Sequence, residues 1–145
     1  MVSPASELDQ AIEQSHDALA AIIRGDVSGY AQLYSAADDV TIGNPFGPFA
    51  RGRDNVIATG EAAAGRYRDG EILGFETVAS HVSDDLACVV EVERFQAKVG
   101  DVEALAPVAL RATSVFRRED GAWRLVHRHA DPITTARPAD SVIQR

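Results

Sequence analysis

The sequence is poor in cysteine and has no long apolar run. Cys88 is the single cysteine among 145 residues, so no internal disulfide can form, and a reducing compartment is expected. The longest apolar runs, residues 18–23 and 86–90, fall far below the ~20 residues that a membrane-spanning helix requires. The N-terminal residues lack the basic and apolar segments of a secretory signal. We therefore expect a cytoplasmic protein with no membrane partner.

Basic residues are also few, since 14 of them stand against 22 acidic ones and the net charge is −8. They are scattered along the chain, whereas binding to nucleic acid or to an anionic membrane needs a basic face. No nucleic-acid partner is therefore expected. The remaining composition, 46% hydrophobic and 25% charged, is that of an ordinary globular protein of one-domain length. We expect one domain over residues 1–133, followed by a polar tail over residues 134–145.

The first half of the chain has helical periodicity. Apolar residues recur at helical spacing over residues 6–23, and Gly25 is expected to end this helix. Asp26 is predicted to cap a second, short helix. The other elements expected here are a short strand over residues 39–43, an irregular loop over 44–52 and a third helix from residue 54 to about 67, closed by residues 68–70.

The second half changes to the alternating pattern of β-strands. Tight turns are indicated at residues 83–85 and 119–122. The predicted strands are residues 71–81, 86–99, 108–118 and 123–130. The predicted fold class is α+β, with the N-terminal helices packed on a strongly curved antiparallel sheet that encloses a pocket.

Four segments follow one another in a familiar order. They are residues 25–34 (GDVSGYAQLY), 40–45 (VTIGNP), 51–54 (RGRD) and 116–131 (FRREDGAWRLVHRHAD). Together they resemble the SnoaL-like branch of the nuclear transport factor 2-like superfamily, over roughly residues 6–133. The resemblance implies a cone-shaped fold and commonly a homodimer. It does not imply a reaction, because this fold carries isomerases, hydrolases, dehydratases, cyclases and non-enzymatic assembly domains.

The resemblance argues against ketosteroid isomerisation. In ketosteroid isomerases an Asp-Pro pair after the first strand supplies the general base, and this chain has Asn44-Pro45. An amide cannot take up a proton at neutral pH. The positions that the resemblance gives to the oxyanion-binding tyrosine and to the protonated aspartate hold Ala18 and Ala112.

A second resemblance lies at the end of the last predicted strand. Its Trp-x-x-Val-His-x-His pattern, residues 123–129, is similar to the end of the association domain of calcium/calmodulin-dependent kinase. That domain assembles holoenzymes and does not catalyse a reaction. A non-catalytic oligomerisation or scaffold domain is therefore the alternative function.

The last predicted strand also holds the principal candidate for ligand binding. Side chains alternate between the two faces of a strand, so Arg128 shares one face with the residues at alternate positions. Those residues are Arg124, Val126 and Ala130. Registering the strand on both named relatives suggests that this face lines the cavity. A buried arginine needs an anion or several acceptors, so Arg128 is expected to bind a substrate carboxylate or phosphate, or to pair with a carboxylate of the protein.

A neighbouring strand supplies two carboxylates on one face, Glu91 and Glu93. If they point inward, Arg128 and Arg111 are their expected partners, and Glu93 is a candidate general base. An alternating polar face is more often simply solvated, so both interpretations stay open at this stage.

A separate cluster follows on the opposite face of the last strand, where His127, His129 and Asp131 alternate. Three possible metal ligands at ~6.7 Å intervals would be nearly collinear, which disfavours a metal ion. A His129–Asp131 pair that moves protons, or an interface cluster, explains the same residues. We predict neither a metal nor a cofactor.

The sequence thus predicts a small-molecule-binding pocket protein for a small, largely apolar metabolite, and leaves open whether it is an enzyme. Catalysis would be cofactor-free acid–base chemistry of the hydratase, dehydratase, cyclase or isomerase type. The predicted catalytic residues are His129, Asp131 and Glu93, and the predicted substrate-binding residues are Arg128, Asn44, Glu91, Arg111 and Tyr34. His16 is predicted to be superficial.

Overall fold

The structure, a computed structural model, describes residues 4–145, with side chains from residue 7 onward. The helices of this range are α1 (Pro4–Ile22), α2 (Tyr30–Leu33) and α3 (Arg53–Ala64), with a 3-10 turn at Ala139–Val142. The strands are β1 (Thr41–Gly43), β2 (Ala50–Arg51), β3 (Tyr67–Val82), β4 (Leu86–Val99), β5 (Ala106–Glu119) and β6 (Ala122–Asp131).

The strands of the described range form one open sheet in the order β2-β1-β6-β5-β4-β3. Strands β3 to β6 are an antiparallel meander, and their predicted positions are confirmed to within a few residues at each end. The whole sheet is mixed, because the short strand β1 lies parallel to β6 beside this meander. A parallel pair needs a long crossover, and the chain from β1 to β6 supplies one by passing through α3 and four strands.

The helices cover one face of this sheet, which makes the fold an α+β cone. The inner face of α1 buries Leu8, Leu19 and Ile22, and the floor of the cone buries Phe95 and Leu125. Burial of each such side chain contributes roughly 1.5–3 kcal/mol to folding. Among the described residues, no helix combines the length and the apolar character needed to cross a membrane.

The connection between the first two helices agrees with the prediction in one respect and corrects it in another. Gly25 has a φ of 86°, which favours glycine, and its N–H donates to the carbonyl of Ile22 at 2.8 Å, so it ends α1 as expected. Asp26 does not cap α2. Its carboxylate instead accepts hydrogen bonds from the backbone N–H and the hydroxyl of Ser28, at 2.8 and 2.7 Å, because these donors lie only two residues away.

The third helix is shorter than predicted. It ends at Ala64, and Tyr67 opens β3, where its ring packs edge-on against Phe95 at a centroid distance of 5.5 Å. Residues 68–70, which were expected to close the helix, lie within β3 and form a bulge in which Asp69 has a φ of 55°. The tertiary contact of Tyr67 overrides its local helical pattern.

Candidate functional site

One β-bulge in β6 decides which side chains reach the interior. The pairing of β6 with β5 shifts by one residue between Leu125 and His127, which leaves Val126 as an extra residue. An extra residue reverses the alternation of faces. Leu125, which is 1% exposed, and Arg128 therefore both point toward the helices. The prediction of strict alternation along this strand is wrong, since it placed Leu125 and His127 on one face.

Arg128 forms a bidentate ion pair with Glu93 in the interior. Its Nη1 donates to Oε2 and its Nη2 to Oε1, both at 2.7 Å. The side chains are 19% and 3% exposed. Burial by itself would lower the pKa of Arg128, but the adjacent Glu93 carboxylate outweighs it and holds this pKa above its ordinary value. Arg128 therefore stays charged, and its remaining N–H groups form no hydrogen bond to a described residue.

Three tyrosines surround this ion pair. Burial raises the pKa of Tyr67 to about 12, and it also raises those of Tyr30 and Tyr34 above their usual values. The Tyr30 hydroxyl donates to that of Tyr34 at 3.3 Å. The Tyr67 hydroxyl makes no hydrogen bond within the described part of the chain. All three phenols remain protonated at neutral pH, so Tyr67 offers an unused hydrogen-bond donor.

Two small cavities meet at Arg128. The α1-side cavity has a volume of about 30 Å³, and its lining includes Tyr34 and Ala18. The loop-side cavity has a volume of about 40 Å³, and its lining includes Tyr67 and Asn44. Each has room for about one water molecule, whereas small-molecule sites measure roughly 300–1,000 Å³. In this conformation the interior is closed to a ligand of ordinary size.

Asn44 stands at the edge of the loop-side cavity. Its Oδ1 accepts the backbone N–H of Phe46 at 3.0 Å, which fixes the turn after β1. Its Nδ2 has no hydrogen-bond partner among the residues that the structure describes. The amide is therefore a second unused donor beside the Tyr67 hydroxyl.

Glu91 lies on the inner face of β4, two residues before Glu93, and is 6% exposed. Its oxygens contact Nε2 of His16 at 2.8 and 3.0 Å, and the His16 ring stacks on Phe75 at 3.6 Å. The expectation that His16 is superficial is wrong, because its side chain is only 22% exposed. Glu91 and His16 do not line either interior cavity.

Arg111 does not meet the inner carboxylates as predicted. It lies on the outer face of the sheet, where its Nε donates to Oδ1 of Asp131 at 2.7 Å. Burial raises the pKa of Asp131, but the hydrogen bonds from Arg111 and from the backbone N–H of Ile133 outweigh this and hold it below its usual value. His129 lies on the same outer face, 42% exposed, with Nε2 3.6 Å from Oδ2 of Asp131. The sheet therefore separates His129, Asp131 and Arg111 from Arg128.

The outer face also holds His127, whose Nδ1 lies 2.8 Å from the hydroxyl of Thr41. Burial, followed by the repulsion of His129, lowers the pKa of His127. The ring of Phe49 lies 5.9 Å from that of His129 and 6.3 Å from that of His127. Within residues 7–145 no group of three or more His, Cys, Asp or Glu side chains is arranged to hold a metal ion.

Two interior residues escaped the sequence reasoning. The sequence pattern predicts Tyr67 at the end of a helix and gives no sign that its side chain lines the cavity. His16 stands four residues after Ile12 and three before Leu19, and this spacing on the apolar face of α1 is a signal that could have placed it inside.

Comparison with known proteins supports the architecture. The SnoaL-like domain family matches residues 10–134. A candidate dehydratase of the NTF2-like family from Streptomyces avermitilis is 22% identical, with 92% of this chain and 100% of that chain covered and a TM-score of 0.73. A ketosteroid isomerase-like protein from Erwinia carotovora is 20% identical, with 89% and 98% covered and a TM-score of 0.71.

A third similar solved structure is named as an assembly domain and not as an enzyme. It is a candidate calcium/calmodulin-dependent protein kinase type II association domain from Thiobacillus denitrificans, 24% identical, with 86% and 93% covered and a TM-score of 0.67. Identities of this size show a shared fold and no shared reaction. No curated protein sequence gives a significant match.

Proposed function

Because the chain belongs to the SnoaL-like domain family, we propose that it binds a small, largely apolar metabolite between helices and sheet and converts it by cofactor-free acid–base chemistry of the dehydratase or isomerase type. The observation that carries this proposal is Arg128, which lines both interior cavities, is paired with the buried carboxylate of Glu93, and shares the loop-side cavity with the unused donors of Tyr67 and Asn44. A buried carboxylate can remove a proton from the carbon beside a carbonyl group, and oriented hydrogen-bond donors can stabilise the charge that then develops on the carbonyl oxygen.

The roles follow from what each group can donate or accept. The hydroxyl of Tyr67 and the amide of Asn44 would donate to a ligand oxygen, because neither group donates to a residue that the structure describes. The free N–H groups of Arg128 would orient the same end of the ligand. Glu93 is the base, since its carboxylate retains lone pairs beyond the two that Arg128 occupies.

Dehydration of a β-hydroxy ketone illustrates the chemistry. Glu93 takes the proton from the carbon beside the carbonyl, and the electron pair moves onto the carbonyl oxygen, where Tyr67 and Asn44 stabilise the charge. The enolate then expels the β-hydroxyl group, which leaves as water with the proton that Glu93 carried. Asn44 cannot act as the base, which is why this scheme differs from the Asp-Pro chemistry of ketosteroid isomerases.

Proton exchange in D₂O tests the proposal with 4-hydroxybutan-2-one as the probe. Proton NMR follows both the loss of the α-proton signal and the appearance of vinyl protons. We expect the wild type to accelerate both over buffer, Glu93→Gln to abolish the acceleration, and Tyr67→Phe to reduce it by about 10²-fold. Glu91→Gln is the matched control, because Glu91 shares the strand and face but pairs with His16. A wild type that does no better than buffer, or an active Glu93→Gln variant, overturns the assignment.

We further propose a homodimer formed through the outer face of the sheet. This face carries half-buried Val90, Val92 and Val115, and beside them Phe49, which is 69% exposed. Covering such a surface with a second copy removes apolar area from water. Light scattering is expected to give a dimer for the wild type and a monomer for Val92→Lys, and a monomeric wild type contradicts the proposal.

The same surface supports the alternative function, a non-catalytic scaffold. That function is favoured if Glu93→Gln and Tyr67→Phe change nothing measurable with the probe while Val92→Lys dissociates the assembly. We place the protein in the cytoplasm, where the half-buried Cys88 would remain a thiol. Rapid alkylation of freshly lysed cells tests this, because an oxidised Cys88 would escape labelling.

A further inference from the structure

A larger depression lies outside the cone, between α3 and the loop that joins β1 to β2. This outer groove has a volume of about 600 Å³. That volume falls within the roughly 300–1,000 Å³ of small-molecule sites, whereas the interior cavities measure about 30 and 40 Å³. A metabolite of ordinary size therefore fits the groove in this conformation and does not fit the interior.

The wall between the groove and the loop-side cavity is thin. Asn44, Phe46 and Ala63 line both spaces. The half-buried ring of Phe46 packs against Tyr67 at a centroid distance of 5.5 Å on the inner side, and the Arg66 guanidinium lies 5.0 Å from its centroid on the other. Phe46 is followed by Gly47 and Pro48 in an exposed loop. Rotation of this one side chain would join the groove to the cavity that contains the unused donors.

The groove is positively charged in a chain whose net charge is −8. Arg51 and Arg66 line it, no carboxylate among the described residues does, and neither arginine forms an ion pair within the described part of the chain. Arg51 is partly compensated, because the pKa of Asp39 is lowered mainly by Arg117 and to a smaller extent by Arg51. The Arg66 guanidinium lies over the Phe46 ring and forms no ion pair with a described residue, so it is the cation best placed to receive an anionic ligand group.

We propose that the outer groove is the outer half of the ligand site, that its substrate class is an elongated carboxylate with an apolar chain and an oxo or hydroxyl group, and that Phe46 is the movable wall. The carboxylate binds Arg66 at the surface, the chain passes Phe46, and the oxygen-bearing carbon reaches Tyr67 and Arg128. This inference rests on the proposed function for its inner half. It explains how a ligand-sized molecule can use cavities that in this conformation hold about one water molecule each.

Calorimetric titration with decanoate and with uncharged decanamide tests the outer half. Arg66→Gln is expected to weaken decanoate binding about tenfold and to leave decanamide binding unchanged, because only the carboxylate gains a charge-assisted hydrogen bond. Arg24→Gln is the control, since Arg24 is exposed and does not line the groove. Failure of the wild type to bind decanoate, or equal binding by Arg66→Gln, overturns the proposal.

The role of Phe46 is tested with the same probe by NMR. Decanoate is expected to shift the ring resonances of Tyr67, and Phe46→Ala is expected to speed the exchange of bound and free decanoate at least threefold. Phe75→Ala is the matched control, because the half-buried Phe75 stacks on His16 and lines neither the groove nor the loop-side cavity. Unchanged Tyr67 resonances, or an unchanged exchange rate in Phe46→Ala, would show that decanoate does not pass Phe46 into the loop-side cavity and would overturn this part of the proposal. Failure of the proposed function would be recognised in a different experiment. In that case Glu93→Gln and Tyr67→Phe would not change the reaction of 4-hydroxybutan-2-one.

Discussion

Removal of one partner from the Arg128–Glu93 pair should cost far more stability than removal of both. Each single replacement, Glu93→Leu or Arg128→Met, leaves an unpaired group whose partner stood 2.7 Å away in the interior. Breaking a buried pair costs about 3–5 kcal/mol, whereas replacing both ions by apolar side chains of similar volume is often neutral or stabilising. We therefore expect each single variant to lose about 3–5 kcal/mol and the double variant to stay within about 1 kcal/mol of the wild type.

The two single variants should differ in their response to pH. With Arg128 removed, Glu93 can take up a proton and become neutral, but with Glu93 removed, the arginine cannot lose its charge. Arg128→Met should therefore recover part of its lost stability between pH 7 and pH 5, and Glu93→Leu should not. The sign follows from linkage, because a folded state that binds more protons than the unfolded state gains stability as the pH falls.

Equilibrium urea unfolding measures these differences. Trp123, the single tryptophan, is buried and reports the transition by fluorescence, and circular dichroism gives an independent signal. Arg111→Met is the control, because Arg111 pairs with Asp131 but is 54% exposed, and a pair at such a surface contributes about 0–1 kcal/mol. A double variant that loses the sum of the two single effects would refute the reasoning, since the cost would then lie in packing and not in the orphaned charge.

Two further perturbations probe the backbone and the outer face. Gly70→Ala should lower the free energy of unfolding in urea by about 1–3 kcal/mol, because the added Cβ would lie 2.4 Å from the carbonyl oxygen of Ile23. Gly74→Ala on the same strand is the control, because its Cβ meets nothing within 4 Å and should change stability by less than about 0.5 kcal/mol. Equal losses in the two variants would contradict this reasoning. His129→Gln should raise the lowered pKa of His127 toward its usual value, because the variant removes the repulsion between the two imidazoles. An NMR titration measures this pKa, and an unchanged value would assign the shift to burial alone. Since the folded state holds this proton less tightly, the stability that His127 provides is complete above pH ~6.5 and is lost as the pH falls toward its folded pKa.

The sequence was sufficient to predict the antiparallel meander, because apolar and polar residues alternate strongly over residues 71–131. The Asp-Gly pair at the last hairpin is typical of a tight turn, and Asp120 and Gly121 have the positive φ angles of such a turn, 50° and 81°. The sequence was insufficient where a tertiary contact competes with a local pattern. Tyr67 continues the helical spacing of α3 but is held in β3 by Phe95. Spacing along α1 could have placed His16 inside, but its partner Glu91 lies 75 residues away in the chain.

The hardest part of the site to predict was that Leu125 and Arg128 share the inner face of β6, and the structure gives a physical reason. Leu125 and Arg128 stand three residues apart, so in a regular strand they would point to opposite faces, and either a core leucine would be exposed or the arginine would leave the interior. The bulge at Val126 removes this conflict by adding one residue to β6 without adding one to β5. It also sends His127 outward to Thr41 and away from Glu93. The composition of the interior site and the composition of the outer face therefore depend on the same extra residue, whose position no hydrophobic pattern reveals.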